Sequence, residues 1–304
     1  METTLVTGAS GFIGRHVVRH LLLGGHEVHA VARRVGPTHP GATWHTLDLH
    51  DRDATVRLVN RLRPDRAIHL AWNVEPGFVT STDNLAWVGA SLDLVHSLAS
   101  VGCRRLILAG TCYEYAWSDA PCNEYTTPTC PATLYGTAKL AVNYTAQMAA
   151  RELGIEIATG RIFFLFGPGE PPEKLVAHTI RSLLQGQRAA CTPGEQVRDY
   201  LYVDDVAASF TALLESDVTG VVNIASGEAL RVCDLVSAIG DALGRPDLIG
   251  LGDLPPAARE PRSIVADVHR LRAEVGFGER TDLEVAIDRS IEWWRQELRA
   301  HVTR

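Results

Sequence analysis

Two residues of one helical segment, Tyr135 and Lys139, have the side chains that proton transfer to a carbonyl oxygen requires. They lie four positions apart in an alanine- and leucine-rich stretch, so both side chains project from one face of the helix. A free phenol has a pKa of about 10, and a neighbouring ammonium group lowers it by favouring the phenolate. The spacing predicts a tyrosine that exchanges a proton and a lysine that adjusts its pKa.

Thr111 supports this prediction because it directly follows an apolar segment, RLILAG (105–110), that has the composition of a buried strand. The residue after such a strand lies at the carboxyl edge of a parallel sheet, where doubly wound folds bind their ligands. A hydroxyl there can bridge Tyr135 and a substrate oxygen. We therefore predict that Thr111, Tyr135 and Lys139 are the catalytic residues.

A glycine-rich turn, TGASGFIG (7–14), follows the first apolar residues of the chain. A strand that turns tightly into a helix presents free N–H groups and the positive end of the helix dipole, which suit a pyrophosphate. The alternative is a strand–helix turn with no ligand. We expect a dinucleotide here, held by Gly8, Ser10, Gly11, Phe12, Ile13 and Gly14.

The segment after the second strand indicates which dinucleotide binds. NAD sites usually have an acidic residue there, whereas this chain has Ala32, Arg33 and Arg34. A guanidinium group suits a 2′-phosphate, so Arg33 and Arg34 favour NADP(H) over NAD, unless they are only solvated surface residues. Asp48 and Leu49 end the third strand, where Asp48 either accepts from the adenine amino group or caps the loop.

Short β-rich runs alternate with helical patterns through the first half of the chain, which predicts an α/β, doubly wound parallel sheet of the Rossmann type. We expect this domain to span residues 1–165, with one further strand returning near 221–226. Proline- and glycine-rich stretches then predict a smaller C-terminal substrate-binding lobe over 166–304. The expected strands are 5–7, 27–32, 43–47, 67–72, 104–110 and 156–162, and the expected helices are 14–25, 53–62, 84–102, 133–153, 174–185 and 282–294.

Composition argues against several classes of partner. The 304 residues carry a formal net charge of −7, which is unsuited to neutralising nucleic-acid phosphates. No apolar run is long enough for a membrane span, and six cysteines without a Cys-x-x-Cys spacing are typical of free thiols in a reducing compartment. His16 and His20 share a helix face but have no third ligand nearby, so we expect no metal, no membrane, no nucleic acid and a cytoplasmic location.

Taken together, the motifs resemble the extended short-chain dehydrogenase/reductases, in particular the nucleotide-sugar epimerase/dehydratase group and its 4-ketoreductases. The resemblance covers nearly the whole chain and rests on TGASGFIG, DL (48–49), HLAW (69–72), LAGTCYEY (108–115), YGTAK (135–139), RIFFLFGPG (161–169), RDYLYVDDVA (198–207) and NIASGE (223–228). It implies that Leu70 and Ala71 contact the cofactor, that Lys139 also binds the nicotinamide ribose, and that Arg198 faces a nucleoside diphosphate.

Departures from the family pattern narrow the activity. Cys112 and Tyr113 stand where the 4,6-dehydratases have Asp-Glu, and neither can perform the acid–base work of water elimination at neutral pH in the same way. Phe164 replaces a substrate-contacting asparagine, and Trp72 replaces a small residue. Near the end of the chain, Arg259 or Arg262 can supply the late phosphate contact. The residues expected to bind substrate are Thr111, Cys112, Tyr113, Phe164, Arg198 and Glu260.

The favoured function is NADPH-dependent reduction of the 4-keto group of a nucleotide-linked 4-keto-6-deoxyhexose, with Tyr135 as the proton donor. The alternative is a nucleotide-sugar epimerase with tightly bound cofactor. A cofactor sensor without chemistry would be expected to lose Thr111, Tyr135 or Lys139, and a small-carbonyl reductase fits the long second lobe less well. The alanine-rich helices at 84–102 and 133–153 predict a homodimer, unless their apolar faces are used within the monomer.

Overall fold

The computed structural model describes residues 2–34, 39–256 and 261–302. Its strands are β1 (Thr3–Thr7), β2 (Glu27–Ala32), β3 (Thr43–Thr46), β4 (Arg66–His69), β5 (Arg105–Thr111), β6 (Glu156–Ile162), β7 (Phe164–Phe166), β8 (Ala189–Cys191), β9 (Val197–Arg198), β10 (Tyr200–Tyr202), β11 (Gly220–Ile224), β12 (Leu230–Arg231), β13 (Ile249–Leu251) and β14 (Ser263–Ile264). Its α-helices are α1 (Phe12–Leu23), α2 (Arg52–Leu62), α3 (Asp83–Ser100), α4 (Leu134–Leu153), α5 (Leu175–Leu184), α6 (Val203–Glu215), α7 (Val232–Ala242) and α8 (Leu283–Val302).

A parallel sheet organises the described residues, with seven strands in the order β11-β6-β5-β4-β1-β2-β3. At its centre Val6 lies between Ala30 of β2 and Ile68 of β4, and all three side chains are fully buried. The strand order reverses at β1 and β4, which opens a crevice beyond their carboxyl ends. The predicted doubly wound α/β fold is confirmed.

Helices cover both faces of the sheet because alternate strand residues point to opposite sides. Val6 contributes to a core with Val17 and Phe210, which belong to α1 and α6. Its neighbour Leu5 contributes to a second core with Leu94, which belongs to α3. The sheet is buried on both sides, and its free carboxyl edge is left for a ligand.

The strands expected at 27–32 and 156–162 coincide with β2 and β6, and the strand expected near 221–226 is β11, which pairs with β6. The strand expected over 67–72 ends earlier, at His69. There the chain leaves the sheet, and Leu70 and Ala71 donate backbone N–H groups to the carbonyl and hydroxyl oxygens of Thr7, respectively.

Most of the remaining elements form a second body of structure beside the carboxyl edge. β7 pairs with β10, β8 pairs with β13, and β9 pairs with both β12 and β14. Helices α5, α7 and α8 enclose an apolar core that includes Phe166, Ile180, Ile239 and Trp294. Because β7 begins two residues after β6 ends, this core lies next to the crevice. The domain division at 165 and 166 remains a prediction.

None of the helices in the described ranges is long and apolar enough to cross a bilayer.

Substitution of Gly14 tests the packing of the glycine turn. A Cβ on Gly14 would lie 2.1 Å from the carbonyl oxygen of Gly8. We expect Gly14→Ala to lower the free energy of unfolding by about 1–3 kcal/mol, because the turn must open to admit the methyl group. Gly278→Ala is the control, since a Cβ there meets nothing within 4 Å. Urea denaturation measures both, and equal stability of the two variants would contradict this packing.

Candidate functional site

The glycine turn brings β1, α1 and the chain after β4 into direct backbone contact. Gly8 has a φ of +69°, and a Cβ on it would lie 2.7 Å from the backbone nitrogen of Ala71. Gly11 precedes the first residue of α1 and donates its N–H to the carbonyl of Gly8 at 2.9 Å. The positive end of α1 therefore abuts the crevice with no bulk between it and a bound anion.

A cavity of about 830 Å³ opens at this edge of the sheet. Its size lies in the range of small-molecule and cofactor sites. The cavity is lined by most of the residues that the sequence predicted for the site: Gly8, Ser10, Gly11, Phe12, Ile13, Gly14, Arg33, Arg34, Leu49, Leu70, Ala71, Thr111, Tyr113, Tyr135, Lys139 and Phe164. Its size and its glycine cradle fit a dinucleotide.

The far end of the cavity is cationic at the place where β2 ends. Ala32 is buried, and Arg33 and Arg34 are exposed residues that line the cavity. No carboxylate stands at this strand end in the described part of the chain, which stops at Arg34 and resumes at His39. The position suits a phosphate on the adenosine ribose.

Asp48 makes a local contact. Its carboxylate Oδ1 accepts the backbone N–H of His50 at 3.0 Å, and the residue does not line the cavity, whereas its neighbour Leu49 does. The sequence left two roles open for Asp48, and in the structure Asp48 caps the loop.

Thr111, Tyr135 and Lys139 meet where β5 ends against α4. The Thr111 side chain lies close to the Tyr135 hydroxyl and acts to lower the pKa of that phenol. Lys139 donates from Nζ to the carbonyl of Ala109 at 2.9 Å, and Nζ lies 4.0 Å from the centre of the Trp72 ring. The predicted catalytic residues are thus brought together at the cavity wall, with Trp72 as a partner of the ammonium group.

Burial sets the protonation of this cluster. It raises the pKa of Tyr135, which the nearby Thr111 side chain only partly offsets, and it lowers the pKa of Lys139 to about 7. Burial, and secondarily the Lys139 charge, lower the pKa of His69 to about 3, so that ring is neutral. The sequence suggested that the ammonium group would lower the pKa of Tyr135. The structure differs because burial disfavours the charged form of both residues.

Aromatic rings surround the phenol of Tyr135. Its ring centre lies 4.8 Å from that of Phe78, 5.8 Å from that of Tyr113 and 6.3 Å from that of Trp72, all in edge-on geometry. All three neighbours line the cavity. The wall around the reacting hydroxyl is therefore apolar and fixed in orientation.

Not all of the residues predicted to bind substrate lie at the cavity. Cys112 is buried in the core and does not line the cavity, and burial raises the pKa of its thiol. Arg198 is also buried. It donates to the carbonyls of Val197 and Pro261, and its guanidinium carbon lies 5.4 Å from the ring centre of Phe164, which lines the cavity. Glu260 and Arg259 lie outside the described residues.

Several cavity residues were not predicted from the sequence. Phe78, Glu170 and Lys174 line the cavity but belong to loops or to the start of α5, and no spacing marks them. Burial raises the pKa of Glu170 to about 8, and its carboxylate accepts the N–H of Ala177. Glu114 does not line the cavity and was also missed, although Thr111 and Glu114 have the spacing of a capping box. Across the described ranges, no group of three or more His, Cys, Asp or Glu residues could hold a metal ion.

A glycine cradle, a carboxyl-edge cavity and a Thr–Tyr–Lys cluster define the class of enzymes that work with a nicotinamide dinucleotide. Residues 4–225 match the model of the NAD dependent epimerase/dehydratase family. The chain belongs to this family. It is therefore an enzyme that depends on a nicotinamide dinucleotide.

The similarity to known proteins extends along nearly the whole chain. A UDP-glucose 4-epimerase of Streptomyces lividans is 26% identical over 315 residues, which cover 95% of each protein. The crystal structure of a UDP-glucose 4-epimerase of Thermotoga maritima with UDP-glucose has a TM-score of 0.90 at 25% identity, covering 97% of this chain and 99% of that one. MoeE5 in complex with UDP-glucuronic acid and NAD has a TM-score of 0.84 at 30% identity, with coverage of 97% and 99%.

Lys139 can be titrated directly because it is one of only two lysines in the chain, with Lys174. We expect its ¹³Cε signal in selectively labelled protein to titrate with a midpoint of about 7, since burial lowers its pKa to that value. Lys174→Arg should leave this signal in place, and Lys139→Met should remove it. A midpoint near the ordinary lysine value of about 10.4 would contradict the burial of the ammonium group.

Proposed function

We propose that this protein is a nucleotide-sugar 4-epimerase that retains a nicotinamide dinucleotide through its cycle. The observation that carries the proposal is the Thr111–Tyr135–Lys139 cluster on the wall of a dinucleotide-sized cavity, in a chain whose full-length relatives include UDP-glucose 4-epimerases. The relatives support epimerisation better than the net ketone reduction that the sequence favoured. Elimination of water is disfavoured because Cys112 is buried and Tyr113 offers no carboxylate.

The residues that would hold the dinucleotide follow from the cavity. Gly8, Ser10, Gly11, Phe12, Ile13 and Gly14 would receive the pyrophosphate, Arg33 and Arg34 would meet the adenosine ribose, and Leu49, Leu70 and Ala71 would flank the remainder. When bound, the nicotinamide supplies reversible acceptance and donation of hydride. We propose Lys139 as its ribose contact and Arg198 as a contact of the substrate diphosphate.

Tyr135 would take the proton from the sugar hydroxyl as it becomes a ketone and return it when the alcohol is re-formed. Thr111 would orient this transfer because its side chain lies beside the Tyr135 hydroxyl. Lys139 carries its charge only part of the time near neutral pH, since its pKa is about 7. A protonated Lys139 would favour the phenolate form of Tyr135, against the effect of burial.

The test is to denature the purified protein and measure released NAD(H) and NADP(H), then to assay interconversion of UDP-glucose and UDP-galactose without added cofactor. We expect bound cofactor and turnover that needs no addition. Tyr135→Phe is the matched control. It should retain the cofactor and lose turnover by about 10²–10⁴-fold, because only the proton-transferring oxygen is removed.

If the wild-type protein releases no cofactor on denaturation and forms no epimer of the nucleotide sugar, the proposed epimerase activity is refuted.

A second candidate, NADPH-dependent reduction of a nucleotide-linked 4-keto-6-deoxyhexose, is supported by two features of the cavity. Arg33 and Arg34 stand where NAD sites have a carboxylate, and NADP is more often a consumed reductant than a retained cofactor. Phe78, Tyr113 and Trp72 around Tyr135 also suit a deoxygenated sugar face.

Cofactor preference tests this second candidate. We expect Arg33→Ser to raise the KM for NADPH about 10-fold or more and to leave that for NADH unchanged, because a charged hydrogen bond to phosphate is worth about 1.5–3 kcal/mol. Arg52→Ser, an exposed arginine paired with Asp93 away from the cavity, is the control. Stoichiometric NADPH loss with a nucleotide-linked 4-keto sugar identifies the reductase, and equal use of both reductants by wild type and variant would refute the role of Arg33.

We also propose a homodimer formed through α3 and α4. These helices pack against each other and expose the apolar residues Leu85, Tyr144 and Met148 to solvent. Pairing with a second copy would bury these side chains in a four-helix bundle. The cytoplasmic location stays a prediction.

A further inference from the structure

A buried carboxylate, Glu114, lies directly beneath the catalytic cluster. It ends a single turn of 3-10 helix, Cys112–Glu114, that follows β5, and its side chain is completely buried. Oε1 accepts the backbone N–H of Thr111 at 2.9 Å, while the Thr111 hydroxyl accepts the N–H of Tyr113 at 3.3 Å. This reciprocal capping box fixes both the main chain and the side chain of Thr111.

The second oxygen of Glu114 reaches two other elements of the site. Oε2 accepts from Asn143 Nδ2 at 3.0 Å and from Arg161 Nε at 2.8 Å. Asn143 lies on α4, one turn beyond Lys139, and Arg161 lies on β6. One carboxylate thereby ties the end of β5, the helix that carries Tyr135 and Lys139, and the neighbouring strand into a single arrangement.

Stability alone is a weak reason for this ion pair. A buried pair of charges is often no more stabilising than apolar side chains of the same volume. Here Nη1 of Arg161 finds no hydrogen-bond partner among the described residues, so the pair is not fully satisfied. The space is also tight, since a Cβ on Gly110 would lie 2.7 Å from Glu114 Oε1. The placement therefore points to a role in the site.

The negative charge of Glu114 acts on both ionisable residues of the cluster, and in both cases toward the protonated form. It raises the pKa of Tyr135, adding to the larger effect of burial, and it raises the pKa of Lys139, opposing burial. A buried charge is poorly screened, so its effect persists at physiological salt.

Given the reaction proposed above, we propose that Glu114 is a positioning residue of the active site: its buried carboxylate fixes Thr111 against α4 and holds the ammonium form of Lys139 beside Tyr135. Glu114 touches neither substrate nor cofactor and acts through these residues.

Lys139 provides a readout that needs no substrate. In ¹³Cε-lysine protein, Glu114→Gln should lower the titration midpoint of Lys139 by about one pH unit, because an opposite charge is lost. A variant that merely loosened the packing would admit water and move the midpoint upward. Glu156→Gln is the matched control, since Glu156 pairs with the buried Arg105 at an exposed position and should leave the midpoint unchanged.

Turnover provides the second readout. Glu114→Gln should shift the pH–rate profile to lower pH and reduce kcat about 10- to 100-fold with little change in the KM for the nucleotide sugar, because Thr111 loses its alignment. Glu114→Asp keeps the charge and shortens the side chain, so it should retain the wild-type pH profile while lowering kcat. Retained kcat and an unshifted profile in Glu114→Gln would overturn the proposal.

If Glu114→Gln does not fold because Arg161 is left unpaired, the double variant Glu114→Leu/Arg161→Met removes both charges together. It should fold and still show the lower Lys139 midpoint and the loss of kcat, and wild-type values for both would overturn the proposal.

If the wild-type protein is inactive on every nucleotide sugar, only the proposed function is refuted, because the Lys139 titration would still report on Glu114.

Discussion

The approach of the Thr111 side chain to the Tyr135 hydroxyl is the contact on which the site depends. It joins the last residue of a central strand to the second residue of a helix, and neither element could hold its hydroxyl in place alone. The parallel sheet fixes where the strand ends, and the packing of α4 on that sheet fixes the helix. The rigid scaffold thereby converts two mobile side chains into one oriented proton-transfer group.

The surroundings of this contact are largely apolar and disfavour charged side chains. The Tyr135 ring sits among three aromatic neighbours, and the Lys139 ammonium has a carbonyl and an indole face as its partners. In such surroundings small electrostatic changes have large effects on protonation. The aromatic wall therefore contributes to the chemistry as well as to the shape of the cavity.

Much of this arrangement could be predicted from sequence because it depends on local patterns. The glycine turn, the strand-end threonine and the four-residue spacing of Tyr135 and Lys139 each specify a backbone position. What could not be predicted depends on burial and on distant segments: the raised pKa of Tyr135 and the approach of Phe78 and Trp72. Epimerisation and ketone reduction use the same three side chains, so the motifs do not separate them.

The pairing of β11 with β6 has a consequence for how the chain folds during synthesis. β6 is complete at Ile162, but the strand that covers its outer edge ends only at Ile224. Until about sixty further residues are made, the nascent sheet presents the open backbone of β6, in which Ala158 and Gly160 offer little side-chain shielding. A ribosome-bound or proteolysed N-terminal half would therefore be prone to self-association, because the strand that covers β6 belongs, in sequence, to the other half.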